Sequence, residues 1–115
     1  MLVVERVKLI GAPVSTKKVE PVLDLIRGDQ VELALQKLRL VNKKSAHHIY
    51  KLLKSAVANV EHNKKMEVKE MMVLKAWATK SKERRFKRFR PIARGRAHPY
   101  VKHRSNIFIE IGYGS

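Results

Sequence analysis

Residues Leu2 to Ile10 alternate and are rich in valine. Val3, Glu5, Val7 and Leu9 fall on one side, and Val4, Arg6, Lys8 and Ile10 on the other. A period of two is that of a strand, although neither side here is purely apolar. Gly11-Ala12-Pro13 is expected to end it. Beyond Ser15, a candidate helix cap, Val19, Val22, Leu23 and Ile26 follow the i, i+3, i+4, i+7 spacing of one helical face. Pro21 interrupts that face, at a cost of about 3 kcal/mol inside a helix. Either the helix kinks there, or it starts near Glu20 with Pro21 in its first position. Gly28 is expected to terminate it.

Asp29 and Glu32 have the spacing of a capping box, with Asp in place of Ser or Thr. The helix that follows should bury Ala34, Leu35, Leu38 and Val41. The strongest stripe in the chain runs from Ser45 to about His62, through Ala46, Ile49, Tyr50, Leu53, Ala56, Val57 and Val60. Lys51, Lys54, Asn59 and Glu61 lie off it, as in a helix with one buried face. Asn63-Lys64-Lys65 then turns the chain. Glu67 to Ala78 reads as a strand, with Met71, Val73 and Trp77 on one face and Met72, Leu74 and Ala76 on the other. Asn106 to Tyr113 alternates again, Ile107, Ile109 and Ile111 against Asn106, Phe108 and Glu110, which predicts a half-buried strand.

Charge changes the picture between these last two strands. The 115 residues hold 26 Lys and Arg against 10 Asp and Glu, a net charge of +16. From Lys80 to Arg104 there are eleven Lys and Arg and one acid, Glu83, so most of the excess sits in one segment. A hairpin loop is ordinarily two to five residues long, and this segment has too few aliphatic residues to fold on itself. It is either a disordered basic loop or an outward continuation of the two strands as a two-stranded arm, turning near Pro91 to Gly95. A solvated loop of like charges would repel itself. A polyanion resolves that repulsion, with an anionic membrane or an acidic protein as the alternatives to nucleic acid.

The residue types suit RNA. Lys82, Arg84, Arg85, Lys87, Arg88, Arg90, Arg94, Arg96, Lys102 and Arg104 can grip phosphates, arginine through its planar fork. Phe86, Phe89 and Tyr100 can stack on unpaired bases, and Gly95 lets the backbone approach its partner. Lys17-Lys18 and Lys43-Lys44 lie near helix starts, where anions are favoured, though ordinary surface lysines would look the same.

Other classes find little support. No apolar run of about 18 residues exists to span a membrane. The chain goes straight into a strand pattern, so no signal or transit segment is expected. The absence of cysteine removes disulfides and thiolate chemistry. His47 and His48 diverge on a helix and the other histidines are scattered, so no metal or cofactor is expected. No nucleophile–base spacing, phosphate-binding glycine loop or carboxylate cluster marks an enzyme, and Ser45 beside His47 and His48 reads as a helix start. A DNA-binding protein would need a recognition helix or a dimeric arm, and a membrane-active helix would need the apolar stripe that the core requires.

The order and spacing of several motifs carry a resemblance. They are Ser15-Thr16-Lys17-Lys18-Val19, Asp24-Leu25-Ile26-Arg27-Gly28, Asn42-Lys43-Lys44-Ser45-Ala46 and Lys54-Ser55-Ala56-Val57-Ala58-Asn59. Most specific are Arg90-Pro91-Ile92-Ala93-Arg94-Gly95-Arg96-Ala97 and Lys102-His103-Arg104-Ser105-Asn106-Ile107. Over nearly its whole length the chain resembles the ribosomal protein L-twenty-two family of the large ribosomal subunit. The resemblance implies an α+β fold: a small three-stranded antiparallel sheet packed against three helices, with a long basic β-hairpin extension, in one domain over 1–115 whose arm is 80–104. It implies a structural, non-enzymatic role, with large-subunit ribosomal RNA, neighbouring ribosomal proteins and the nascent polypeptide as partners. Lys17, Lys18, Lys43, Lys44 and the arm's basic residues would hold RNA. Lys87, Arg88, Phe89, Arg90, Ile92 and Arg94 would form a tip lining the peptide exit tunnel. The location implied is the cytoplasm, with an organellar ribosome left open. Pro21, Ile92, His98-Pro99 and Asn106 depart from the family's usual residues.

Overall fold

Three isoleucines hold the centre of the sheet. Ile107, Ile109 and Ile111 are fully buried on the middle strand of three, and each contributes on the order of 1.5–3 kcal/mol by leaving water. The computed structural model describes residues 2–81, 88–92, 96–100 and 104–114, the segments 88–92 and 96–100 through their backbone. Strand β1 (Leu2–Ala12) is followed by helices α1 (Thr16–Ile26), α2 (Val31–Leu40) and α3 (Lys44–Asn63). Strands β2 (Met72–Lys80), β3 (Arg88–Ile92), β4 (Arg96–Tyr100) and β5 (Ser105–Tyr113) complete the order. One antiparallel sheet has the order β1-β5-β2, and β3 and β4 form a second, two-stranded sheet. The α+β fold expected from the resemblance is the one observed.

The helices cover one face of the three-stranded sheet. α3 packs on β1 and β5, α1 on β2, and α2 on α3. The stripe of α1 is the expected one, Val19, Val22, Leu23 and Ile26. Pro21 neither shortens this helix nor starts it: α1 runs from Thr16 with Pro21 inside. Pro21 is exposed, so its ring takes no room from the core, and it removes the hydrogen bond to the Lys17 carbonyl. The capping box does not form. The N-cap of α2 is Gln30, with no side-chain cap. The Asp29 carboxylate instead accepts from Lys37 Nζ at 2.6 Å, and the Asp29 carbonyl from the Val73 N–H. Residues 28–31 thereby pair with the outer edge of β2 and the residue before it, through Gly28 N–H to the Val73 carbonyl and Val31 N–H to the Met71 carbonyl. In α3 the expected stripe is buried or half-buried, joined by Leu52.

Three bulges correct the strand reading. Each inserts one residue and reverses the side-chain alternation beyond it. In β1 the register shifts between Val3 and Glu5, so Val4 packs on the core while Val3 is 45% exposed. A second shift lies between Leu9 and Ala12. The strand therefore passes through Gly11, at φ 73°, and ends at a buried Ala12. The strand ends within the expected Gly11-Ala12-Pro13, with Gly11 itself serving as a bulge residue. In β2 the shift between Val73 and Lys75 puts Ala76 on the buried face with Val73 and Trp77 on the opposite one. There Trp77 stacks on Phe108, centroids 5.1 Å apart. The segment from Glu67 to Met71 is not strand; it carries buried Val68 and Met71 under the helices. Gly112 answers the first bulge: a Cβ there would overlap the Leu2 carbonyl oxygen and stand 2.9 Å from Val4 N.

Candidate nucleic-acid interface

The two lysine pairs, more than twenty residues apart in sequence, meet in space. Packing of α1 beside α3 aligns their N-termini around an open cleft of about 760 Å³. Lys17, Lys18, Lys43 and Lys44 line it, with Pro13, Val14 and Ser15 from the segment leading into α1. That segment is pinned from below: the buried Ser105 hydroxyl donates to the Val14 carbonyl at 2.5 Å, and Val14 N–H reaches Ala12 O at 2.8 Å.

Among the described residues, nothing neutralises this end of the two helices. Neither N-cap, Ser15 or Lys43, makes a side-chain cap bond, and neither first turn holds an acid. Lys18 and Val19 N–H reach Ser15 O, and His47 N–H reaches Lys43 O. The N–H groups of Thr16 and Lys17, and of Lys44, Ser45 and Ala46, have no acceptor among the described residues. Helix starts left this way carry partial positive charge. The acids of α1 are engaged elsewhere: Glu20 and Asp24 both pair with Arg27. All four lysines are exposed, and none is in a salt bridge among the described residues. A smaller depression of about 320 Å³, lined by Arg39, Lys43, His47 and Tyr50 among others, continues the basic surface past Lys43.

The root of the basic segment is a second built feature. The Gly11 bulge leaves the ladder, and two side chains take its backbone groups. Its N–H donates to Asn106 Oδ1 at 3.0 Å, and its carbonyl accepts from the Arg104 guanidinium at 3.0 Å. Arg104 also accepts Ser81 N–H on its own carbonyl, at 3.0 Å, one step beyond the Lys80–Ser105 pair. Arg104 thus ties all three strands together where the basic segment begins. The alternative of an unpaired loop is not what the backbone shows: β3 and β4 pair with Arg88 opposite Tyr100, Arg90 opposite His98 and Ile92 opposite Arg96. Residues 93–95, on which the expected turn near Pro91 to Gly95 falls, lie outside the described residues.

Of the candidate binding residues, Lys17, Lys18, Lys43 and Lys44 come together. Arg88, Arg90, Arg96, Phe89 and Ile92 lie in the paired strands, and Arg104 at their root. Lys82, Arg84, Arg85, Lys87, Arg94 and Lys102 lie outside the described residues. Sequence reading missed two positions that shape these surfaces. Ser45, read as a helix start, lines the cleft, and Asn106, read as a family departure, clamps the bulge. Arg27 serves the fold rather than the cleft, since its Nε donates to the Ala76 carbonyl at 2.7 Å and fastens α1 to β2. Among the described residues no helix is long and apolar enough to cross a membrane.

Fold and site together define a small, basic α+β protein with two surfaces suited to a polyanion. Comparison with known proteins places it further. Residues 7–112 match the family described as Ribosomal protein L22p/L17e. The chain is 44% identical over 98 residues to the large ribosomal subunit protein uL22 of Macrococcus caseolyticus (strain JCSC5402), covering 85% of this chain and 77% of that one. It is 44% identical over 101 residues to the same protein of Staphylococcus aureus (strain JH9), covering 88% and 85%. The chain belongs to the ribosomal protein L22p/L17e family. It is accordingly a structural constituent of the large ribosomal subunit, associated with that subunit's RNA and proteins, and not an enzyme.

Proposed function

We propose that this chain acts as one domain over 1–115 that anchors large-subunit ribosomal RNA in the cytoplasm. It grips RNA through the helix-start cleft and through both strands of the basic arm 80–104, and its tip borders the path of the nascent polypeptide. The observation that carries the reading is the pairing of β3 with β4. Within a segment holding eleven Lys and Arg, Arg88–Ile92 and Arg96–Tyr100 pair as an antiparallel ladder. Arginines of such an arm suit the phosphates of an RNA partner through their planar fork. Lys87, Arg88, Phe89, Arg90, Ile92 and Arg94 are assigned to the tunnel wall on the strength of the family.

Two measurements test this. Affinity for large-subunit RNA fragments should fall steeply with salt, because each neutralised phosphate releases counterions; a nearly flat dependence refutes RNA anchoring. Photo-cross-linkers at Arg90 and Arg94 should capture a stalled nascent chain in intact ribosomes. Capture from positions on α2 or α3, and never from Arg90 or Arg94, refutes the assignment of the tip.

A further inference from the structure

We infer that the cleft between α1 and α3 is a discrete phosphate-binding site, which seats one phosphodiester of RNA across both helix N-termini with the Ser45 hydroxyl as a donor. The inference rests on the RNA-anchoring reading and deepens it. Uncapped helix starts and lysines alone would describe a diffuse basic surface. Ser45 makes the difference. It is only 3% exposed, yet it lines the cleft, and its hydroxyl has no hydrogen-bond partner among the described residues. The Ser45 side chain is almost wholly enclosed, and its hydroxyl, still touching water, is left with a donor that no described residue uses. An acceptor that enters the cleft can take that hydrogen bond in place of water.

The chemistry of that acceptor follows from its surroundings. Around Ser45 stand the unbonded N–H groups of Lys44, Ser45 and Ala46 on one helix and of Thr16 and Lys17 on the other. Four ammonium groups, those of Lys17, Lys18, Lys43 and Lys44, belong to the same cleft, with no carboxylate partner among the described residues. These are all donors, so the ligand must be acceptor-rich and anionic. It must also have several oxygens to reach donors on two helices at once, which a phosphate has and a single carbonyl lacks. The first-turn positions hold no acid that could serve instead. Pro13, Val14 and Ser15, held by Ser105, fix one wall, so the donors are set before the phosphate arrives. The cleft is open on one side, as a phosphate within a continuing chain requires.

The test uses the full chain and two substitutions at one position. Ser45→Ala removes the hydroxyl and keeps a good helix former. Ser45→Asp places a carboxylate in the first turn of α3, where the helix dipole favours it, so the protein should stay folded with its own anion in the cleft. Amide resonances of Thr16, Lys17, Lys44, Ser45 and Ala46 are followed while inorganic phosphate is added. They should shift saturably in the parent, about tenfold more weakly in Ser45→Ala, by the loss of one hydrogen bond to a charged group, and not at all in Ser45→Asp. Ser45→Asp should also weaken binding to a large-subunit RNA fragment and flatten its salt dependence by about one unit. Phosphate shifts spread over all surface lysines, or undiminished in Ser45→Asp, overturn the site. Unchanged RNA affinity in Ser45→Asp, with a steep salt dependence retained, overturns it while leaving RNA anchoring intact. An unaltered chain that binds no RNA overturns the anchoring reading itself, and the phosphate titration then still decides the cleft.

Discussion

Removing the arm should separate folding from binding. Ser81 N–H and the Arg104 carbonyl are 3.0 Å apart, adjacent across the ladder that joins β2 to β5. Replacing the 22 residues Lys82–His103 by Asn-Gly therefore requires only a tight turn between residues already opposed. Every residue of the described hydrophobic core lies outside the deleted segment. Shortening so long a loop to two residues also lowers the entropy cost of closing it, by at most roughly 2 kcal/mol, since closure cost grows as (3/2)RT ln n. The melting temperature should thus match or exceed the parent's. The deletion removes nine Lys and Arg and one Glu, halving the net charge from +16. If all nine engage phosphates, the slope of log affinity against log salt flattens by roughly 6–8 units. Urea unfolding followed by fluorescence of Trp77, the single tryptophan, and by far-UV circular dichroism provides the stability assay. Non-coincident or non-cooperative transitions, or a lower midpoint, would refute the claim that the arm is dispensable to the fold. An unchanged salt slope would refute its role in gripping RNA.

Three further outcomes follow from the same geometry. Leu53→Ala, at a fully buried position in the middle of α3, should cost about 2–5 kcal/mol in denaturant unfolding, whereas Leu40→Ala, at 85% exposure, should change stability by less than about 0.5 kcal/mol; equal effects would mean the helix faces are misassigned. Asn106→Ala takes the acceptor from the Gly11 N–H and should cost about 1 kcal/mol, with faster hydrogen exchange at Gly11 as the local readout. Burial, then the charges of His47, Lys51 and Lys44, hold the His48 imidazole below its usual value of 6.5. The unfolded chain therefore binds a proton before the folded one does, so stability present above pH 6.5 is lost as pH falls toward the folded value. Melting temperatures measured from about pH 7.5 down to about pH 5 should decline, less so in His48→Gln, and an identical decline in that variant would exclude His48 as the cause.

The helices were legible because their information is local. Val19, Val22, Leu23 and Ile26 share a face by spacing alone, and so do Ala46, Ile49, Leu53, Ala56 and Val60; any helix built from those residues presents that stripe. The alternation of Ile107, Ile109 and Ile111 marked the central strand for the same reason. The basic segment announced a polyanion through composition, and the ordered motifs around Arg90–Ala97 announced the family. The edge strands were misread where alternation is reset by a partner. Val4, Ala12 and Ala76 turn inward only because β5 runs past β1 and β2 with one residue fewer at each bulge. The aborted capping box is similar: Asp29 has the spacing to cap α2, but β2 and Lys37 claim its oxygens.

The cleft belonged wholly to tertiary structure. Lys17-Lys18 and Lys43-Lys44 are two ordinary pairs in sequence, and Ser45 is a common residue near a helix start. Their meaning depends on α1 and α3 lying side by side with their N-termini level, a relation set by the sheet that both helices cover. Spacing along the chain encodes which face of an element is buried. It does not encode which ends of separate elements meet, because that is decided by the packing of their buried faces on a common core.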